Sequence, residues 1–172
     1  MSSQSARSVS LALVGGVAAM LFFSQGLFVW AGLVGWAAFL DAGGDTPALM
    51  KTIAGTMFGA VMGWVALRGM FLIDVPPEGW LWIPRAAIMV VITLFLLSMA
   101  TRIEMFSRLS TNLFGYASMF AASGMTLQSM ALADRLSSFH FANPFVLLVL
   151  SMAGGSIFGL ASNKLTEALT KK

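Results

Sequence analysis

The sequence predicts an all-α integral membrane protein with about six transmembrane segments in a single domain over residues 1–172. Hydrophobic residues make up 58% of the chain and charged residues only 10%, whereas soluble domains carry about 25% charged residues. Long stretches, such as 8–40 and 136–163, contain no Asp, Glu, Lys or Arg. A membrane-spanning helix needs roughly 20 apolar residues, so the length allows about six spans and no further soluble domain.

The first apolar stretch is too long for one span. As a single helix, residues 9–40 would measure about 48 Å, well beyond a hydrocarbon core of about 30 Å. Ser-Gln-Gly at 24–26 is the only polar and flexible tripeptide inside this stretch, and we expect the helix to break there. The result is a first span over 8–23 and a second segment over 27–40, which is short for a complete crossing.

The third span starts after a turn. Residues 41–47 contain two aspartates, two glycines and a proline, a composition typical of a turn followed by a helix start. Asp45 or Thr46 is the expected N-cap, and Pro47 the expected first helical residue. The span runs to about Arg68.

The fourth span follows a second turn. Two prolines and two acidic residues at 74–79 indicate a surface turn. Trp80 and Trp82 stand directly after it, where aromatic residues mark the membrane interface. We expect the span to cover 80–98.

The last two segments differ in polarity. After a polar loop at 102–108, segment five over 109–130 carries more polar side chains than a helix facing only lipid would. Span six over 144–164 is apolar. Segments two and five either cross the membrane as short spans or fold back as re-entrant segments.

Glycines at helical spacing predict close helix contacts. Small residues four positions apart lie on one helix face and let two backbones approach closely. The expected packing positions are Gly35, Gly55, Gly59, Gly63, Gly115, Gly155 and Gly159.

Two short matches indicate an internal repeat. Gly-Trp-Ala-Ala at 35–38 aligns with Gly-Tyr-Ala-Ser at 115–118 at an offset of 80 positions. Gly-Thr-Met-Phe-Gly at 55–59 aligns with Gly-Ser-Ile-Phe-Gly at 155–159 at an offset of 100 positions. Chance matching is the alternative, because small and aromatic residues are common in membrane helices.

A real repeat would divide the chain into halves of three segments, at about 8–70 and 80–165. An odd number of crossings in each half inverts the second half in the membrane, as in many transporters and channels. Such proteins bind their solute near the midplane, and short segments interrupted by glycine are the best sequence indication of the site. Segments two and five fit that description.

Several motifs resemble a bacterial family of small inner-membrane proteins known only as a domain of unknown function (number ten ninety-seven). The resemblance covers about 8–164 and implies a multi-spanning inner-membrane protein without an established substrate. Asp41 stands where a small residue is expected before the glycines. The motifs are Val-Trp-Ala-Gly at 29–32, Gly-Trp-Ala-Ala-Phe at 35–39, the 41–44 turn, Lys-Thr at 51–52, the Gly59 to Trp64 stretch, Phe-Gly-Tyr at 114–116 and Phe-Ala at 120–121.

Enzymatic and cofactor functions are not expected. The chain has no cysteine, and its single histidine, His140, is better explained as a loop residue at the membrane interface than as a ligand or general base. The 13 methionines are dispersed, which favours packing over copper binding. No phosphate-binding loop or nucleophile motif occurs. The basic residues stand singly near helix ends, which indicates lipid headgroups rather than nucleic acid.

The sequence favours a channel or facilitator for a small solute over an ion-coupled transporter, because no carboxylate lies in the middle of a predicted span. The alternative is a non-transporting structural or accessory subunit of a membrane complex or homo-oligomer. Asp41, Asp45 and Lys51 either bind a cation or line a pore mouth, or they supply helix caps and a cytoplasmic positive charge. The polar residues of segment five either contact solute or hydrogen-bond other helices. The candidate pathway residues are Trp36, Asp41, Lys51, Asn112, Tyr116, Ser118 and Ser123.

Charge distribution predicts the orientation. With six crossings, seven of the ten Lys and Arg residues lie on the side of the termini and three on the other. Because cytoplasmic loops are enriched in Lys and Arg, we expect both termini in the cytoplasm of a bacterial inner membrane.

Overall fold

The computed structural model describes residues 1–71, 80–123 and 143–170. In these ranges the chain forms six α-helices, two short 3-10 turns between α4 and α5, and no β-strand. The helices are α1 (Ser3–Ser24), α2 (Val29–Asp41), α3 (Thr46–Met70), α4 (Trp82–Met99), α5 (Leu109–Ala122) and α6 (Pro144–Thr170).

Within the described ranges, four helices are long and apolar enough to cross a membrane: α1, α3, α6 and α4 with its 3-10 extension. Many of their apolar side chains are also exposed, as at Val91 (67%) and Phe95 (63%) in α4. Side chains of this kind on successive turns fit lipid and do not fit water. The all-α prediction is therefore confirmed for the described residues, and four long apolar helices are consistent with a membrane protein.

α2 and α5 are much shorter than the other helices. Their 13 and 14 residues correspond to about 20 Å each, against a hydrocarbon core of about 30 Å. Segment two is therefore short, as predicted. Segment five was expected to reach 130, but α5 ends at Ala122; residues 124–130, like His140, lie outside the described part of the chain.

Local signals set the helix boundaries. α1 starts five residues earlier than predicted, because the Ser2 hydroxyl accepts a hydrogen bond from the Ser5 N–H at 3.2 Å and caps it. The predicted break follows α1, where Gly26 has a φ of 68°. The Asp45 side chain caps α3 by accepting from the Ala48 N–H at 2.7 Å, as predicted.

The chain divides into two compact units. Unit 1 comprises Met1–Ile53 and Leu150–Lys172, and unit 2 comprises Ala54–Val149. Unit 1 therefore holds α1, α2 and most of α6, whereas unit 2 holds α4, α5 and most of α3. Most of α3, the third helix of the first predicted half, belongs to unit 2 together with α4 and α5. Most of α6, the third helix of the second predicted half, belongs to unit 1 together with α1 and α2.

In unit 1, α1 and α2 form an antiparallel hairpin. A Cβ atom on Gly32 would collide with the Phe22 ring, and the Trp36 ring lies 4.0 Å from the Cβ position of Gly15. Arg7, near the start of α1, lines a pocket together with the glycines that follow α2. α1 therefore begins, and α2 ends, at the same end of unit 1.

α6 runs parallel to α2 in unit 1. The Phe28 N–H donates to Ser151 Oγ at 2.9 Å next to the start of α2. Beyond the C-terminal end of α2, Asn163 Nδ2 of α6 donates to the Gly44 carbonyl at 2.8 Å. The C-terminal part of α6 therefore lies at the end of unit 1 where α1 begins.

In unit 2, α5 runs parallel to α3. The Phe106 ring stacks on Phe58 at 4.6 Å between centroids, just before α5 begins. Further along both helices, Met119 Cβ lies 2.8 Å from the Cβ position of Gly63. α4 joins them through a 2.9 Å hydrogen bond between Thr93 Oγ1 and the Tyr116 hydroxyl.

Candidate functional site

Glycines bring α2 and α6 into backbone contact in unit 1. A Cβ atom on Gly35 would collide with the backbone of Met152, and one on Gly155 would collide with the carbonyl of Gly32. A turn further along, a Cβ atom on Gly159 would lie 2.7 Å from both the Trp36 and the Phe39 rings. These positions carry glycine because no side chain fits between the two helices.

α5 and α3 contact each other in the same way in unit 2. A Cβ atom on Gly115 would collide with the carbonyl of Thr56, and one on Gly59 would collide with the carbonyl of Asn112. A turn further along, a Cβ atom on Gly63 would lie 2.8 Å from Met119 Cβ and 2.9 Å from the Tyr116 carbonyl. The predicted role of these glycines in helix packing thus has a specific geometry in both units.

The contacts of the two units follow one register. Positions 32, 35, 36 and 39 of α2 correspond to positions 112, 115, 116 and 119 of α5, at the predicted offset of 80. Positions 152, 155 and 159 of α6 correspond to positions 56, 59 and 63 of α3, at an offset of 96.

The offset of the long helices thus differs by four residues, or one helical turn, from the 100 positions of the sequence match. The contacts pair Gly155 with Gly59, whereas the sequence match pairs it with Gly55. A glycine series with a four-residue period matches itself equally well one turn along, which explains the difference.

Asn112 is the most unusual polar residue of unit 2. It is completely buried, and its Nδ2 donates to the Phe106 carbonyl at 2.8 Å. Its Oδ1 has no hydrogen-bond partner in the part of the chain that the structure describes. This oxygen faces α3, at 2.8 Å from the Cβ position of Gly55.

Thr111 adds a second oxygen of the same kind. Its side chain is 1% exposed, and its Oγ1 also has no hydrogen-bond partner within the described ranges. Its Cγ2 lies 3.0 Å from the Cβ position of Gly55, so both side chains adjoin the same glycine of α3. Buried polar atoms almost always have partners, and two neighbouring exceptions in one helix require an explanation.

The other polar candidates of α5 are engaged or packed in unit 2. The Tyr116 hydroxyl bonds Thr93, as described above. Ser123 Oγ donates to the Phe120 carbonyl at 2.7 Å at the end of the helix. Ser118 is buried. Of the predicted pathway residues in α5, only Asn112 therefore presents a buried oxygen without a partner in the described chain.

The candidates of unit 1 lie on α2, on α3 and in the turn between them. Trp36 is buried and packs on Gly159. Asp41 is exposed as the last residue of α2, and Lys51 is half-buried in the second turn of α3. Asp45 caps α3. The Asp45 side chain thus has the helix-capping contact that is one of its two predicted roles.

A polar pocket in unit 1 was not predicted from the sequence. It has a volume of about 440 Å³ and lies where α1 begins and α6 ends. Its side chains come from three separate stretches of the chain, so no local motif indicates it. The polar side chains that line it are Arg7, Asp45, Asn163, Thr166 and Glu167.

Comparison with known proteins gives one match. The family described as "Protein of unknown function (DUF1097)" matches residues 8–167, which is nearly the whole chain. No curated protein and no solved structure matches.

Proposed function

The chain belongs to the family of unknown function DUF1097, and we propose from its geometry that it is a channel or facilitator for a small polar solute. In this proposal the chain is built as two inverted repeats of three segments, over about 8–70 and 80–165. The equal glycine registers of the two units support the repeat. The cell inner membrane, with both termini in the cytoplasm, is the proposed location.

The observation that carries the proposal is the Asn112 side chain. An unsatisfied buried acceptor costs about 1–3 kcal/mol, and more in surroundings that water cannot reach. A hydroxyl or amine group of a passing solute, or a water molecule, can supply the missing donor. Thr111 Oγ1 adjoins the same glycine of α3 and offers a second hydrogen-bonding group.

The chemistry of these groups favours a neutral solute. An amide oxygen and a hydroxyl bind by hydrogen bonding and supply no full charge. Within the described ranges, no Asp or Glu lies inside α1, α4 or α5, so these helices hold no carboxylate for proton coupling. The proposal is therefore passive permeation of a small molecule that donates hydrogen bonds.

The alternative function, a structural or accessory subunit, requires glycine-lined helix faces that dock onto other chains. In the structure, Gly59 and Gly63 contact α5 in unit 2, and Gly155 and Gly159 contact α2 in unit 1. These faces are thus occupied within a single chain. That arrangement favours the channel over the docking role.

Solute flux into proteoliposomes tests the proposal. The purified chain is reconstituted, and stopped-flow light scattering follows the uptake of water, glycerol, urea and acetamide against empty liposomes. We expect at least one of these solutes to permeate faster with the protein present. If all four rates equal those of empty liposomes, the proposal is wrong.

Two variants locate the pathway. Asn112→Leu removes the unpartnered oxygen at similar volume, and we expect the flux to fall by about tenfold, the equivalent of roughly 1.4 kcal/mol. Ser123→Ala is the control, since that hydroxyl bonds its own helix, and its flux should equal the wild-type flux. Equal flux in Asn112→Leu, with the protein still folded by circular dichroism, would exclude Asn112 from the pathway.

A further inference from the structure

The polar pocket of unit 1 adjoins an apolar groove between α1 and α2. Leu40 lines both of them. The groove consists of two cavities, of about 220 and 240 Å³, which share Leu11, Gly15, Leu33 and Trp36. A polar cavity and an apolar one thus adjoin at Leu40 within unit 1.

The length of the groove matches one leaflet of a bilayer. It extends along α1 from Leu11 to Phe22, eleven residues or about 16 Å. Half of a hydrocarbon core of about 30 Å is about 15 Å. An acyl chain whose headgroup lies in the polar pocket would therefore follow the groove to about the middle of the membrane.

Glycine gives the groove its depth. Gly15 lines both cavities, and a Cβ atom there would be 4.0 Å from the Trp36 ring. The adjacent Gly16 has no neighbouring atom within 4 Å of its Cβ position and does not line either cavity. A large side chain at Gly15 would therefore fill the groove, whereas one at Gly16 would point away from it.

The polar pocket contains charges of both signs. Arg7 and Glu167 have no ion-pair partner in the part of the chain that the structure describes. Asp45, whose side chain accepts the Ala48 N–H, lines the same pocket. The charges therefore complement a ligand that carries a phosphate for Arg7 and an ammonium group for the two carboxylates.

The geometry points to a binding site for a phosphatidylethanolamine-type lipid. Its phosphate binds Arg7, its primary ammonium binds Glu167 and Asp45, and one acyl chain occupies the groove. A choline headgroup has no N–H donor for the carboxylates. A phosphatidylglycerol headgroup would place its negative charge beside two carboxylates without a compensating ammonium.

Lipid retention tests the site. The purified full chain in mild detergent is incubated with phosphatidylethanolamine, phosphatidylcholine and phosphatidylglycerol of identical acyl chains, and native mass spectrometry measures the lipid bound. We expect about tenfold more phosphatidylethanolamine than either competitor, close to the lower end of what one hydrogen bond to a charged group contributes. Equal retention of the three lipids would overturn the proposal.

Two kinds of variant test the headgroup contact and the acyl-chain groove separately. Glu167→Gln should remove the preference for ethanolamine over choline, and Gly15→Leu should reduce the binding of all three lipids. Gly16→Leu is the matched control on the same helix and should bind lipid as the wild type does. Unchanged headgroup preference in Glu167→Gln, or equal lipid binding in the two glycine variants, would contradict the site.

Discussion

Single glycine-to-alanine changes distinguish the two registers that the repeat allows. The contacts pair Gly155 with Gly59, because each meets a backbone carbonyl of the short helix beside it. The sequence match pairs Gly155 with Gly55, whose Cβ position is 2.8 Å from a side-chain atom, Asn112 Oδ1. The two registers therefore predict different partners for Gly155 in a stability experiment.

The expected magnitudes follow from what the new methyl group meets. Alanine in place of glycine in a helix gains about 1 kcal/mol from propensity, and forcing a methyl group into a packed contact costs about 1–3 kcal/mol. At Gly59 and Gly155 the opposing atom is backbone and cannot rotate away, so the upper end applies. The net loss is about 1–2 kcal/mol at these two positions. At Gly55 the Asn112 side chain can shift, and the net change is close to zero.

Thermal unfolding in mild detergent, followed by circular dichroism, measures the difference. For a chain of this length, 1 kcal/mol moves Tm by about 2–4 °C. Gly59→Ala and Gly155→Ala should thus each lower Tm by about 2–8 °C, and Gly55→Ala should leave it nearly unchanged. Gly16→Ala, with open space around it, is the control and should match or exceed the wild type.

A specific pattern would refute the contact register. If Gly55→Ala lowers Tm as much as Gly155→Ala while Gly59→Ala is tolerated, the offset of 100 positions is correct. If all three variants are tolerated, the close helix contacts do not exist.

Two further predictions concern the chain as a whole. Reporter enzymes that are active only in the cytoplasm should be active when fused to either terminus, because Arg7 and Glu167, which are close to the two termini in sequence, line the same pocket of unit 1. Activity at one terminus alone would contradict the six-segment topology. The half-chains 1–75 and 76–172 should each fail to fold alone, because α2 lacks α6 in the first and α5 lacks α3 in the second. Their co-expression should restore a helical complex by pull-down and circular dichroism, and a stable monomeric 1–75 fragment would contradict the assignment of α6 to unit 1.

Features determined by neighbouring residues could be predicted from the sequence. The break after α1 follows from Ser24, Gln25 and Gly26, and the start of α3 follows from the Asp45 side chain. Each signal acts within one turn of the backbone, where capping and the conformational freedom of glycine dominate. The short length of segment two follows in turn from the positions of these two signals.

Features that depend on distant residues could not be predicted in this way. The polar pocket joins side chains from near residues 7, 45 and 165, and nothing in any one of these stretches indicates the others. The sequence shows that Asn112 is polar. Whether its Oδ1 has a hydrogen-bond partner depends on which turn of α3 faces it, and the sequence does not show that. A glycine series with a four-residue period leaves that choice open.

The equal glycine registers also show where the two units differ. At the offset of 80, Gly32 of unit 1 corresponds to Asn112 of unit 2, and each offers its carbonyl to the equivalent glycine of the long helix. The backbone contact is the same, but only unit 2 places an amide side chain there. Helix packing therefore accounts for what the units share and leaves the unpartnered Asn112 oxygen unexplained. For helix packing alone, glycine would suffice at this position, as it does in unit 1. This difference between the units is why we propose that Asn112 binds solute.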